Sequence, residues 1–314
     1  MKKTFITLLS FCLFTAVQAQ SNKVNLVVGT YTNSCDSRGI YVYDFDLNTA
    51  NFELKSTSEN NINPSYLTVS NDNKFIYSVN ESGEESTVSS FRYNAARGKL
   101  ELLNKQGSKG ADPCYIINDD KNVIVANYSG GNISVFAKKD DGSISEAKQV
   151  VQHSGKGLNP NRQEASHMHM VYFSPDKKYV LASDLGLDKV FIYQYNPSSK
   201  NEILQLKESV SVKSGSGPRH LTFSKDGKYV YLVQELDATL TTFSFDRNGN
   251  LKKIAETNIL PKGFQGGTGA AAIKISPDGK FLYVTDRVDV NAISVYRILR
   301  NGGLQLIEQV STLG

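Results

Sequence analysis

Residues 277–285, PDGKFLYVT, combine a tight turn with a short strand of apolar and aromatic residues. Related turns, each ending on a lysine, occur at four earlier places. The five turns are Asn71-Asp72-Asn73-Lys74, Asp119-Asp120-Lys121, Pro175-Asp176-Lys177-Lys178, Lys225-Asp226-Gly227-Lys228 and Pro277-Asp278-Gly279-Lys280. Their last lysines are separated by 47, 57, 50 and 52 residues. Such a period, with drift from loop insertions, indicates a repeat fold.

Each repeat unit contains more than one strand. One short apolar strand precedes the turn, one follows it, and two more complete the unit, so we name them A, B, C and D. Residues 221–224 and 229–233 are an A and a B strand, and 240–245 is a C strand. Four antiparallel strands every 50 residues or so predict an all-β propeller of four-stranded blades. Two β-sandwiches are the alternative, but they would not require one turn at one register five times.

The blade count is uneven. The first unit has a B strand at 25–30, a C strand at 39–46 and a D strand near 52–56, but no A strand precedes them. Five complete units follow, and the chain stops at Gly314 where another A strand would begin. Propellers close their ring by pairing the two chain ends, which removes exposed edges. We therefore expect this chain to lack C-terminal residues that would complete the ring.

The N-terminus has the pattern of a signal peptide. Lys2 and Lys3 precede an apolar run over 5–17, which ends at the small-residue site Val17-Gln18-Ala19. We expect residues 1–19 to be removed and 20–314 to form the propeller domain of a periplasmic or secreted protein. No later run approaches the roughly 20 apolar residues of a transmembrane helix, so we expect no membrane partner.

Composition excludes several classes of function. The net charge is +4 over 314 residues and no Lys/Arg-rich run occurs, so nucleic acid is not an expected partner. The segment Gly266-Gly267-Thr268-Gly269 has the composition of a phosphate loop but lacks the lysine and helix that follow in a P-loop. We expect no cofactor.

Cys35 and Cys114 remain after cleavage; two free thiols are favoured over a disulfide.

The ends of the B strands and the starts of the A strands should lie on one rim, because A and B are antiparallel. The residues at the B ends are Glu81, Tyr128, Leu185, Glu235 and Arg287, and those at the A starts are Ser65, Cys114, His169, Arg219 and Ala271. With A innermost, this rim surrounds the mouth of the central channel. A single site requires residues that differ from those at the equivalent positions of the other repeat units. Four of the rim residues differ in this way: His169, Arg219, Glu235 and Arg287. Guanidinium groups bind anions through paired hydrogen bonds, and a carboxylate and an imidazole transfer protons.

Structural roles are the alternatives for these residues. Glu235 could pair with Arg219 across one hairpin, and Arg287 could pair with Asp286. His167 and His169 raise the question of a metal site, but neither remaining histidine stands in a recognisable ligand spacing, so we expect no metal. Cys114 is a weak candidate nucleophile, since no base stands near it in the sequence.

Several strings together resemble the seven-bladed β-propeller lactonases, which include 6-phosphogluconolactonases and carboxymuconate lactonising enzymes. They are Val28-Gly29-Thr30-Tyr31-Thr32, Asn159-Pro160-Asn161-Arg162-Gln163-Glu164, Ser166-His167-Met168-His169, Ser174-Pro175-Asp176, Asp184-Leu185-Gly186, Gly217-Pro218-Arg219-His220, Glu235-Leu236 and Asp286-Arg287. The resemblance implies seven blades, with blade seven and the closing strand missing here. It also implies that His169, Arg219, Glu235 and Arg287 match the catalytic residues of that family.

The resemblance implies hydrolysis of a small sugar lactone, 6-phosphogluconolactone or a related aldonolactone. Arg219 and Arg287 would bind the anion and polarise the carbonyl, Glu235 would activate water and His169 would protonate the leaving alkoxide, with the last two roles exchangeable. We expect His167, Asp184 and His220, in the same strings, to contact the substrate as well. Two alternatives stay open: a non-catalytic propeller that binds a protein or glycan, and a lactone-forming enzyme acting on an unsaturated acid.

Overall fold

A computed structural model describes residues 22–313, which form six antiparallel β-sheets and contain no α-helix. The first sheet has three strands, β1 Lys23–Gly29, β2 Ile40–Asp46 and β3 Phe52–Ser58. The other five sheets have four strands each. They are β4 Leu67–Val69, β5 Phe75–Asn80, β6 Thr87–Asn94 and β7 Lys99–Gly107; β8 Pro113–Asn118, β9 Asn122–Asn127, β10 Asn132–Lys138 and β11 Ile144–Gln152; β12 Met168–Phe173, β13 Tyr179–Asp184, β14 Lys189–Tyr195 and β15 Leu204–Ser211; β16 Pro218–Phe223, β17 Tyr229–Gln234, β18 Thr239–Phe245 and β19 Leu251–Asn258; β20 Thr268–Ile275, β21 Phe281–Val288, β22 Ala292–Ile298 and β23 Leu304–Ser311.

The recurring turn, which joins strands A and B, is held in shape by hydrogen bonds from its own side chains. Ser276 Oγ donates to Asp278 Oδ1 at 2.5 Å, and the same hydroxyl accepts from the Phe281 amide at 3.0 Å. Asp278 Oδ1 also accepts from the Lys280 amide at 3.0 Å. Gly279 sits at φ 77°, a left-handed conformation that glycine adopts without steric cost. Lys280 Nζ also lies 3.4 Å from Asp278 Oδ2, and the same pair forms in three of the other turns, which accounts for the recurring Asp and Lys. The predicted turns are confirmed.

The A strands lie innermost and the D strands outermost. β8, β12, β16 and β20 contact one another in sequence, whereas seven of the eight residues of β19 are exposed. The core lies between neighbouring sheets, where Tyr193, Phe136 and Phe243 are almost fully buried. Because stacked sheets bury apolar side chains on both faces, strands B and C are nearly continuous apolar runs. An all-β propeller is thus confirmed.

The first sheet consists of strands B, C and D, as the sequence predicts. The described residues therefore form five four-stranded blades and one three-stranded blade, while a seventh blade stays a prediction. Among residues 22–313 no helix is long and apolar enough to cross a membrane. The predicted signal peptide, residues 1–19, lies outside the described residues. Cys35 and Cys114 are both free thiols.

Candidate active site

A cavity of about 480 Å³ opens at the rim where B strands end and A strands begin. Its lining contains Tyr31, Ser65, Tyr66, Glu81, Asp112, Cys114, Tyr128, Ser129, Arg162, His169, Arg219, His220, Glu235 and Arg287. All six sheets, or the loops that adjoin them, contribute residues to this lining, so one cavity joins the blades at their inner edge. The predicted residues His169, Arg219, Glu235 and Arg287 all line it.

Backbone bulges direct three of these side chains into the cavity. The pairing of strands A and B skips one residue between Pro113 and Tyr115, between Met168 and Met170, and between Pro218 and His220. The skipped residues are Cys114, His169 and Arg219. A β-bulge leaves an extra residue unpaired and turns its side chain out of the regular alternation. Each of these three blades thus has a bulge at the start of strand A, and the identity of the bulged residue differs from blade to blade.

Glu235 stands at the centre of a cluster of arginines. Its Oε1 accepts from Arg162 Nη2 at 2.6 Å, and its Oε2 accepts from Arg219 Nε at 2.7 Å. Arg287 Nη2 lies 3.3 Å from the same Oε2. Although burial acts to raise the pKa of Glu235, the hydrogen bond from Arg162 and the charge of Arg219 outweigh it and hold that pKa below its usual value. We call Arg162, Arg219 and Arg287 the arginine cluster.

The arginine cluster carries an excess of positive charge. Three guanidinium groups face one carboxylate, which leaves two positive charges uncompensated inside the cluster. The side chains of Arg162 and Arg287 are 42% and 52% exposed, whereas that of Glu235 is 8% exposed. The carboxylate is therefore enclosed while two of its partners face the cavity. Such an arrangement binds an anion by charge-assisted hydrogen bonds.

Backbone carbonyl oxygens hold Arg219 and Arg287 in place. Arg219 Nη1 donates to the carbonyl oxygen of Ala271 at 2.8 Å, on the adjacent blade. Arg287 Nε donates to the carbonyl oxygen of Gly269 at 3.0 Å. Asp286, proposed as an ion-pair partner of Arg287, instead accepts from Thr268 Oγ1 at 2.6 Å. Arg287 therefore does not pair with Asp286, and its guanidinium group can contact a ligand in the cavity.

Arg162 does not lie at the end of a strand, so the comparison of strand ends in the sequence did not predict it as part of the site. It lies in the loop between β11 and β12, where no repeat register applies. Its neighbour Gln163 is fully buried and anchors the loop: Nε2 donates to Leu185 O at 2.9 Å and to Asp188 Oδ1 at 2.8 Å. Gln163 Oε1 also accepts from the Asn159 amide at 2.9 Å. The signal that could have found Arg162 is its place in the string 159–164.

His169 and His220 are buried at the floor of the cavity. His169 Nδ1 lies 3.6 Å from Cys114 Sγ, and its Nε2 lies 3.8 Å from Glu235 Oε2. Burial, with a smaller contribution from the charge of Arg219, lowers the pKa of His169 to about 3. Burial and Arg219 also lower the pKa of His220 well below its ordinary value. Both imidazoles are therefore neutral near pH 7.

His167 and Asp184 lie behind the cavity wall. The ring of His167 stacks on Tyr128 with centroids 4.5 Å apart, and its Nε2 lies 3.0 Å from Glu164 Oε1. Asp184 accepts from Ser166 Oγ at 2.5 Å and from the His167 amide at 2.8 Å. Neither lines the cavity, so their expected contact with substrate has no support in this geometry, whereas His220 does line it. No group of three or more His, Cys, Asp or Glu side chains within 22–313 is placed to hold a metal ion.

Replacing Gly186 by alanine should destabilise the loop that carries Arg162. A Cβ at this position would lie 1.8 Å from the carbonyl oxygen of Ala165, a backbone atom that cannot rotate away. The expected loss is about 1–3 kcal/mol in the free energy of unfolding, as for other overpacked sites. Chemical denaturation measures it. Gly107→Ala is the control, because nothing lies within 4 Å of a Cβ there, and an equal effect of both substitutions would contradict the prediction.

A β-propeller whose inner rim holds a guanidinium cluster, three carboxylates and neutral imidazoles in one cavity is a protein suited to bind and transform a small anion. Residues 25–314 match the family described as "Lactonase, 7-bladed beta-propeller". The chain belongs to this lactonase family, which confirms the resemblance noted in the sequence.

Three similar proteins illustrate the relationship. The 6-phosphogluconolactonase of Bacillus subtilis is 33% identical over 296 residues, which cover 91% of this chain and 81% of the relative. That of Formosa agariphila is 34% identical, with coverage of 92% and 83%. The solved structure of the Pseudomonas aeruginosa periplasmic gluconolactonase is similar with a TM-score of 0.87 at 35% identity, covering 93% of this chain and 84% of that one.

Proposed function

We propose that this protein hydrolyses a sugar lactone, 6-phosphogluconolactone or a related aldonolactone, to the open acid. The observation that carries the proposal is the arginine cluster, with its excess positive charge, at the mouth of the cavity. The names of the relatives support the same chemistry: two are 6-phosphogluconolactonases and one is a gluconolactonase. No specific feature of the cavity favours a protein or glycan partner, or the lactone-forming reaction.

The arginine cluster has donors to spare for a substrate. After the hydrogen bonds within residues 22–313 are assigned, Arg219 Nη2, Arg162 Nη1 and Arg287 Nη1 have no acceptor. These three nitrogens can bind the phosphate or carbonyl oxygens of a lactone. A guanidinium that faces the carbonyl oxygen stabilises the negative charge that develops there as water attacks.

Glu235 and His169 have roles in this proposal that differ from the sequence-based ones. Both oxygens of Glu235 accept hydrogen bonds from arginines, and those partners hold its pKa down, so it is a weak proton acceptor. Its role in the proposal is to orient the guanidinium groups. His169 is neutral near pH 7 because burial lowers its pKa, so it lacks the acidic proton that would protonate an alkoxide. It would instead hydrogen-bond the substrate or a water molecule.

We also propose that the protein is exported. The support is the signal-peptide pattern of residues 1–19, together with a gluconolactonase relative that is named as periplasmic. Cell fractionation with an antibody against the propeller domain tests this, and recovery of an uncleaved chain in the cytoplasm would contradict it.

Kinetics on two lactones test the proposed reaction. We expect hydrolysis of gluconolactone and of its 6-phosphate above the spontaneous rate, with kcat/KM for the phosphate about tenfold higher, because a charge-assisted hydrogen bond contributes about 1.5–3 kcal/mol. Arg162→Met should reduce that preference mainly by raising KM. The control is Arg92→Met. Arg92 lies on a C strand, is 51% exposed and, within residues 22–313, forms an ion pair with Glu101 alone. No turnover of either lactone would refute the proposed function.

A further inference from the structure

The cavity contains a second glutamate, and its surroundings are opposite to those of Glu235. We propose that Glu81 is the general base and acid of the site: it takes a proton from the attacking water and returns it to the ring oxygen of the lactone. This assignment rests on the proposed lactone hydrolysis and identifies the residue that transfers the proton.

Glu81 is placed on the rim by the same register as Glu235. It follows β5 directly, as Glu235 follows β17, and its backbone amide donates to the carbonyl oxygen of Asn63 at 3.1 Å. Its side chain lines the cavity, and no lysine, arginine or histidine within 22–313 forms an ion pair with it. The carboxylate is thus free of the charge partners that saturate Glu235.

One oxygen of Glu81 is held and the other is free. Oε1 accepts hydrogen bonds from Tyr31 Oη at 2.9 Å and from Ser65 Oγ. Oε2 has no hydrogen-bond partner among the described residues, so one oxygen fixes the carboxylate while the other can bind a water molecule. A general base requires this arrangement, because it must be oriented and still have an open acceptor. Glu235 has no such acceptor.

The groups that face Glu81 adjust its affinity for a proton. Burial raises the pKa of Glu81, the charge of Asp112 raises it further, and the hydrogen bonds from Ser65 and Tyr31 oppose this. Burial raises the pKa of the Cys114 thiol and that of Tyr31, so both stay neutral. Asp112 is engaged by the Gly83 amide at 2.9 Å and by Ser129 Oγ at 2.6 Å. A carboxylate whose pKa is moved toward the working pH is a better catalyst of proton transfer.

The two glutamates line one cavity, together with the Cys114 thiol. Besides burial, the charges of both carboxylates raise the pKa of the Cys114 thiol, which lies at the bulge between Pro113 and Tyr115, so both glutamates lie near it. A lactone whose oxygens bind the arginine cluster would therefore present its carbonyl carbon between the guanidinium groups and Glu81. Opposed placement of a cationic and a basic group separates the two tasks of the reaction: stabilising the oxyanion and moving the proton.

Water bound to Glu81 Oε2 forms a bond from its oxygen to the carbonyl carbon and gives one proton to the carboxylate. The carbonyl oxygen becomes an oxyanion held by the arginine cluster. The bond between that carbon and the ring oxygen then breaks, and the ring oxygen takes the proton from Glu81. One water molecule is consumed, Glu81 returns to its ionised form, and the new carboxylic acid ionises to solvent.

Substitution of Glu81 tests the assignment in the full chain. Glu81→Gln should lower kcat on gluconolactone by about 100-fold or more, the usual contribution of a general base, with a much smaller change in KM. Tyr31→Phe should move the acid limb of the kcat/KM profile to higher pH, since its hydrogen bond favours the ionised carboxylate. Formate should partly restore turnover to Glu81→Ala. Glu84→Gln, an exposed glutamate of the same rim segment, is the matched control and should behave as wild type.

The outcomes separate this assignment from the proposed function. Wild-type turnover that survives Glu81→Gln within threefold overturns the assignment and leaves lactone hydrolysis standing. An acid limb that Tyr31→Phe leaves in place also counts against it, because a purely structural glutamate would not govern that limb. Absence of wild-type turnover on either lactone overturns both. Denaturant unfolding of Glu81→Gln establishes that the variant is folded, and loss of activity in a folded variant supports the proposal.

Discussion

Replacing Glu235 by alanine is expected to lower the free energy of unfolding by about 3–5 kcal/mol, because it removes one partner of a buried ion cluster and leaves the others uncompensated. Arg219 is the main cause of the loss, since its side chain is only 14% exposed and its Nε would lose the 2.7 Å contact with the carboxylate. Lactone hydrolysis should fall by more than about 100-fold as the guanidinium groups move apart, because small misplacements of binding groups are costly.

Denaturant unfolding and steady-state kinetics measure this effect, and two further variants identify its cause. Glu101→Ala breaks an exposed pair with Arg92 at 3.0 Å and should cost about 1 kcal/mol or less. In the Glu235→Ala background, Arg219→Met should recover part of the stability, since it removes the uncompensated charge without restoring activity. A Glu235→Ala protein as stable as Glu101→Ala would show that the cluster does not depend on its carboxylate.

The fold was predictable because the repeat unit carries its own register. The turn around Asp278 and Lys280 is built from hydrogen bonds within a few residues, so its sequence recurs wherever its geometry does. Counting from that turn located the ends of the B strands, and with them Glu235 and Arg287. The starts of the A strands followed from antiparallel pairing, which placed His169 and Arg219 on the same rim.

The remainder of the site depends on contacts between residues far apart in the sequence. Arg162 reaches Glu235 across 73 residues from a loop with no periodic register. The sequence placed Glu81 on the rim, but its partner Tyr31 lies 50 residues earlier. Nothing in the sequence therefore marked Glu81 as more suited to catalysis than the other rim residues. The bulges that aim Cys114, His169 and Arg219 at the cavity are likewise a property of strand pairing.

His167 illustrates the opposite case: it is close in sequence to the site, yet it lies outside the cavity lining, and its contact with substrate stays a prediction. Alternation along a strand would put His167 and His169 on one face. The bulge between Met168 and Met170 breaks that alternation, and His167 precedes the first residue of β12. His167 then stacks on Tyr128 and supports the wall instead of lining the cavity. Local irregularity of the backbone, which no periodicity reveals, determines which histidine faces the cavity.

The neutral histidines under the site predict a marked sensitivity to acid. Burial lowers the pKa of His169 from its ordinary 6.5 to about 3, so the folded protein keeps this imidazole neutral where the unfolded chain binds a proton. A group whose pKa is depressed on folding contributes stability above its unfolded pKa and loses it as the pH falls toward the folded one. The slope is about 1.4 kcal/mol per pH unit for each such group, and His169 alone contributes up to about 5 kcal/mol between pH 6.5 and 3.

Stability should therefore fall between pH 6 and 5 with a slope of about two to three protons, because burial also lowers the pKa of His220 and that of His153. Glu81 opposes this in part, since burial raises its pKa and the folded state then binds a proton that the unfolded chain does not. Urea unfolding at a series of pH values measures the slope, and His169→Gln should reduce it by about one proton while leaving the region above pH 7.5 nearly flat. A wild-type slope near zero between pH 6 and 5, or one that His169→Gln does not change, would mean that this histidine is solvated in the folded protein.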